Sequence, residues 1–190
     1  MPASLLGGSP RRRGARYRPT VHDCSITPLE PDQARSVALA HAVMQATTYA
    51  TAAHGDFTAA LFDRIEQRVE ELLAMDVCLV ARSPRGNVVG LVMVDDGPEW
   101  WERKEDPDFV WPAVTRYLST LFTMPATHGT GLGDDLLERA LPDGEPAYLW
   151  TMRDNPRAIA FYRRHGFTAD GYTKRTTGWG DMDMLRMVRT

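Results

Sequence analysis

The 190-residue chain is 43% hydrophobic and 25% charged, with a net charge of −3, the balance of a globular domain that can bury a core without disulfides or metals. No apolar run approaches the roughly 20 residues that a membrane helix needs. The first 20 residues hold five arginines and no acid, which leaves 17 basic against 25 acidic side chains over residues 21–190. So acidic a body argues against a nucleic-acid partner, because phosphate binding relies on basic side chains.

The basic cluster follows the short apolar piece of the N-terminus, the wrong order for a secretory signal. Residues 1–20 are therefore expected to be a disordered basic extension, residues 21–190 one domain, and the protein cytoplasmic, with no membrane partner. Cys24 and Cys78 are read as buried thiols.

In chain order, "VHDCSITPLE" sets Val21, Asp23, Ser25 and Thr27 against Cys24 and Ile26, a short strand ended by Pro28 and Pro31. "PDQARSVALAHAVMQ" places Ala34, Val37, Ala38, His41 and Met44 on one helical side. "TTYATAAHGD" reads as a loop or break. "DFTAALFDRIEQRVEELLAM" repeats the helical period through Phe57, Leu61, Ile65, Val69, Leu72 and Leu73. The period then changes to that of strands: "VCLVAR" and "NVVGLVMVDD", joined by the turn "SPRG", predict an antiparallel hairpin over 77–95.

A long polar connection with Trp100, Trp101 and Trp111 leads to a strand in "AVTRYLSTLFTM". "PAYLWTM" is a further strand. "NPRAIAFYRRHGF" is a helix with Asn155 at its cap, Pro156 at its first position and Gly166 past its end. "TADGY" and "DMLRMVR" are terminal strands. The order of elements predicts an α+β fold: one mixed sheet of about six to seven strands flanked by about four helices.

The stretch "ATHGTGLGDDLLERAL" puts Gly129, Gly131 and Gly133 ahead of a helix whose Leu132, Leu136, Leu137, Ala140 and Leu141 form one apolar stripe. A helix start offers unpaired N–H groups and a partial positive charge, and glycines let a bulky anion reach them, so a phosphate or pyrophosphate is the default ligand. A nucleoside-triphosphate loop is excluded, since Gly133 is followed by Asp134 and Asp135 rather than Lys-Ser/Thr. A dinucleotide fingerprint is excluded because position 134 is not glycine. A plain flexible connection is the alternative.

From Tyr117 to Phe167 the chain resembles the GNAT superfamily of N-acetyltransferases. The superfamily pattern L-x-V-x-P-x-x-[RQ]-G-x-G-[IL]-G is met in register by Leu121, Phe122, Thr123, Met124, Pro125, Ala126, Thr127, His128, Gly129, Thr130, Gly131, Leu132 and Gly133. The second pattern, N-x-x-A-x-x-[FL]-Y-x-x-x-G-F, is met at Asn155, Ala158, Phe161, Tyr162, Gly166 and Phe167. Two departures stand out: His128 replaces Arg or Gln, and Thr123 replaces an aliphatic residue.

The resemblance implies an acetyl-CoA-dependent enzyme that acetylates a primary amine of a small molecule or protein, with no metal. It places the CoA pyrophosphate on His128, Gly129, Thr130, Gly131, Leu132 and Gly133. It places the pantetheine arm along the main chain of Phe122, Thr123 and Met124, and adds Asn155 and Tyr162 to the site. Tyr162 is implied as the acid that meets the departing thiolate; on spacing alone, a tyrosine on an apolar helical face is core packing.

No base is identified by pattern: Glu99, Asp95 and Asp96 lie just past the third strand, and His54 and His41 are weaker candidates. The tryptophan segment 95–116 reads equally as acceptor pocket, lid, dimer contact or satellite core. Its acids at 95, 96, 99 and 102 favour a cationic acceptor on charge alone. A non-catalytic CoA-binding or sensing module of the same fold is the alternative reading, with an acetyltransferase toxin acting on charged tRNA behind it; monomer and homodimer stand equal.

Overall fold

The computed structural model describes residues 23–50, 56–104, 106–176 and 180–190. The expected basic extension, the start of the first strand at Val21 and the candidate His54 lie outside the described residues. Seven strands form one sheet: β1 (Ser25–Pro28), β2 (Val77–Arg82), β3 (Val88–Asp96), β4 (Arg116–Thr123), β5 (Ala147–Met152), β6 (Thr168–Arg175) and β7 (Asp183–Arg189), in the order β1-β2-β3-β4-β5-β7-β6. Every neighbouring pair is antiparallel except β4 and β5, which are parallel.

Helices α1 (Ala34–Tyr49), α2 (Phe57–Asp63) and α3 (Ile65–Ala74) cover one face. Val37, Ala38, Leu61 and Leu72 pack there against Leu91 and Met93 of β3. The short α4 (Trp100–Arg103) follows β3, and α5 (Leu132–Ala140) and α6 (Pro156–Arg164) cover the other face. On that side Leu132, Leu136, Leu137 and Tyr162 meet Val92, Val94, Leu118 and Leu149. Strand β3 is thus buried on both faces, which explains why "VVGLVMV" reads as a continuous apolar run instead of an alternation.

The expected helix over 56–75 is broken at Arg64 (φ −103°, ψ 22°) into α2 and α3. Apolar residues four apart advance about 400° around a helix, so the stripe Phe57, Leu61, Ile65 drifts by about 80° over two steps. The break lets each short helix turn its own stripe to α1. Leu73, expected in that stripe, is 49% exposed. Helix α1 runs on through the threonines expected to end it: the Thr47 hydroxyl donates to Val43 O at 2.8 Å, and Tyr49 packs edge-on against Phe57 and Phe122. Tertiary packing here outweighs the weak helix propensity of Thr.

Between β3 and β4, Met93 pairs with Thr120 and Val94 with Leu118, so Ser119 is an extra residue, a β-bulge. Such an insertion bends its strand. Strands β4 and β5 pair only at Tyr117↔Tyr148 and Leu118↔Leu149, and part from the bulge onward.

Candidate active site

The gap left by the parting strands is a cleft of about 420 Å³. Ser119, Leu121 and Phe122 line it from β4 and Trp150 and Thr151 from β5, while Tyr162 of α6 and the glycine turn close it. The Met124 N–H donates to Val89 O at 2.8 Å, toward β3. Alternation along an antiparallel strand then turns the main-chain groups of Leu121 and Thr123 into the gap and those of Phe122 back to β3. Phe122 contributes its side chain to the lining, whereas Met124 is absent from it and its carbonyl is taken by Thr127 N and Oγ1.

The turn itself is shaped by backbone conformations that suit glycine: φ is +76° at Gly129 and +91° at Gly131, the cap residue of α5. Gly131 has no side chain to cap α5, and of the first N–H groups that of Leu132 reaches the Thr130 Oγ1 at 3.4 Å. Among the described residues the N–H groups of Gly129, Gly131 and Gly133 have no protein acceptor, and all three glycines line the cleft. A concave row of open N–H groups at a helix start fits a phosphate, so the residues present suit the pyrophosphate of CoA. Gly133 has a second reason to be glycine, since a Cβ there would sit 3.3 Å from the Phe161 ring. Thr130 and Leu132 face elsewhere: the Thr130 hydroxyl donates to Thr127 O, and Leu132 is buried in the core.

Asn155 lines the cleft and caps α6, its Oδ1 accepting from Ala158 N at 3.0 Å. Tyr162 is 8% exposed, with its ring against Phe161 and Phe167. Burial pushes its hydroxyl above the usual tyrosine range, so it keeps its proton.

The three acids, expected just past the third strand, separate clearly: Asp95 and Asp96 are the last two residues of β3, paired with Tyr117 and Arg116, and only Glu99 follows it. Asp95 accepts from the N–H of Asp96, and Asp96 turns outward, 3.8 Å from Arg116. Glu99 is half-buried, and burial, the Glu102 carboxylate, Glu71 and Asp95 push its pKa up to about 7 against a bond from Trp101. Glu102 is fully buried: it accepts from the Tyr148 hydroxyl and Trp150 Nε1, both at 2.8 Å, and from the Glu99 N–H at 2.9 Å. A Cβ on Gly97 would fall 1.8 Å from the Tyr148 hydroxyl, so that bond depends on glycine there. Because Glu102 serves internal donors, it adds nothing to an acidic surface. His41 is buried against Phe122, with Arg68 Nη1 at 3.0 Å from its Nδ1, one layer behind the cleft; burial and Arg68 hold its pKa well below the usual value.

The tryptophan segment is a strap over β5, β6 and β7. Trp101 packs on Trp150, and Phe109 on Trp111 and Tyr172. Lys174 Nζ donates to the carbonyls of Glu102 and Lys104, both at 3.0 Å, and Arg186 to Val110 O. The segment is thus a satellite core that forms the wall behind Trp150. Trp100 and Trp111 stay 67% and 62% exposed.

With this geometry, comparison with known proteins identifies the class. The model of the acetyltransferase (GNAT) family matches residues 43–167, and the chain belongs to that family. No curated protein is similar enough in sequence to count as a match. Among solved structures, the PaiA N-acetyltransferase of Thermoplasma acidophilum in complex with coenzyme A aligns with a TM-score of 0.60 at 15% identity, over 86% of this chain and 97% of its own. YncA of Salmonella typhimurium with its cofactor acetyl-CoA aligns at 0.56 and 19%, over 87% and 92%. The spermidine N-acetyltransferase SpeG of Vibrio cholerae aligns at 0.53 and 18%, over 88% and 93%. At these identities the likeness is one of fold.

Proposed function

We propose that the chain transfers the acetyl group of acetyl-CoA to a primary amine of a small molecule or protein. The observation that carries this reading is the cleft opened at the Ser119 bulge, which ends on the unpaired N–H groups of Gly129, Gly131 and Gly133. Acetyl-CoA supplies an activated thioester.

The N–H groups of the turn hold the pyrophosphate, and the main-chain groups of Leu121 with the N–H of Thr123, freed from β5, align the pantetheine arm as a strand would, while the Thr123 carbonyl meets His128. The N–H of Thr123 is a fixed donor beside the acetyl carbonyl, where negative charge develops. Tyr162 donates to the departing thiolate. Burial keeps the Tyr162 hydroxyl protonated, so it stands ready as a donor. Glu99, bonded to the Trp101 side chain and outside the cleft lining, takes the proton of the acceptor ammonium through water; a carboxyl with a pKa of about 7 suits that exchange at neutral pH. The spermidine acetyltransferase fold neighbour supports an amine acceptor.

Calorimetric titration with acetyl-CoA and with CoA tests the reading, followed by thiol release across an amine panel. One-to-one binding with amine-dependent thiol release is expected. Binding without release for any amine would leave a CoA-sensing module instead.

A further inference from the structure

The family pattern places Arg or Gln where this chain has His128. His128 lies against two groups of fixed hydrogen-bonding sense: its Nε2 is 3.2 Å from Thr123 O, an acceptor only, and its Nδ1 meets the Arg157 guanidinium, a donor only. These partners settle the tautomer. Nε2 carries the hydrogen, Nδ1 is bare, and the ring is neutral. Burial and the adjacent Arg157 push its pKa down, in agreement with that state.

Arg157, the second residue of α6, is held by a neutral partner, and among the described residues no acid pairs with it within ion-pair distance. The other cation lining the cleft is differently placed. Arg164 lies 3.9 Å from Asp134, whose carboxylate also meets His165 at 2.8 Å, and its guanidinium sits over Phe161. Arg157 lines both the cleft and an adjoining hollow of about 590 Å³, at the mouth where the turn opens.

We infer that Arg157, aimed by His128, is the cation that binds a phosphate of CoA, and that His128 acts as its positioning residue. A guanidinium with no ion-pair partner among the described residues, beside open main-chain N–H groups, recognises phosphate through charge-assisted bonds. The Arg or Gln side chain that the family pattern has at position 128 is thereby replaced by one from α6. The inference rests on the turn being a CoA site.

The experiment is calorimetric titration of the intact chain with CoA, dephospho-CoA and pantetheine, for wild type, Arg157→Ala, Arg157→Lys, His128→Ala and the double alanine variant. Arg157→Ala should weaken CoA by about tenfold or more, the scale of a charge-assisted bond, and leave pantetheine unchanged; Arg157→Lys should recover part of the loss. His128→Ala should weaken CoA less, and not additively with Arg157→Ala. Loss on CoA but not on dephospho-CoA assigns the 3′-phosphate, and loss on both assigns the pyrophosphate. Unchanged CoA affinity in Arg157→Ala, or equal loss on pantetheine, overturns the inference while the turn stands. Failure of wild type to bind CoA overturns both.

Discussion

The two ends of the cleft are made of different material. At the glycine turn, the groups that face a ligand belong to the main chain, and their directions follow from which residues tolerate positive φ at 129 and 131. At the wall behind Trp150, side chains set the structure: Tyr148 and Trp150 both donate to Glu102, through bonds that join residues 46 and 48 positions apart in sequence. The first kind of site is written in a run of adjacent letters. The second exists only after the sheet and its strap have come together.

The contrast can be broken at either end, and the largest effect is expected at the turn. Gly131→Val combines a φ of +91° that a β-branched residue resists with a side chain over the open N–H groups. It should abolish CoA binding in calorimetry while the far-UV dichroism of a folded domain persists; retained affinity would mean that the turn is only a connection.

Next is the wall. Glu102→Ala strands the Tyr148 hydroxyl and Trp150 Nε1 in the interior, and should cost about 3 kcal/mol in urea unfolding, the scale for orphaned buried partners. A change below about 1 kcal/mol, within the range of an ordinary single bond, would show the wall to be loosely packed.

Tyr162→Phe should lower kcat by about tenfold or more, a modest share of acid–base catalysis, with acetyl-CoA affinity intact. Equal turnover would return Tyr162 to a packing role.

The smallest and most diagnostic change is Glu99→Gln. A base must be deprotonated, so wild-type kcat/KM should rise with pH through an inflection near 7, and the variant should lack that inflection. The same group has a stability signature. Its folded-state affinity for a proton exceeds the unfolded one, so the native state loses stability as pH rises from about 4.5 to about 7 and then levels off. Melting curves of Glu99→Gln should be flatter over that window.

Much of the architecture was legible because local pattern and tertiary demand agree. The stripe of α5, the hairpin of β2 and β3, and the Asn155 cap all follow from periodicity and end signals. The break at Arg64 was hidden, since helical period persists across it and only the drift of a four-residue spacing hints at the turn. Arg157 sits in a pattern position where any residue is allowed, so nothing local marked it. Glu102 lies in a polar stretch that looks solvated, and its burial is decided by Tyr148, Trp150 and the absence of a side chain at Gly97. The choice among Asp95, Asp96 and Glu99 likewise required knowing which carboxylate turns inward.

The bulge at Ser119 has a genetic corollary. A missense change there alters one side chain but keeps the residue count that holds β4 away from β5. An in-frame loss of that single codon would restore one-to-one pairing with β3 and straighten the strand, and β4 would lie flat against its parallel neighbour. In a deletion scan, position 119 should therefore stand apart from a substitution scan: permissive to exchange, intolerant of omission.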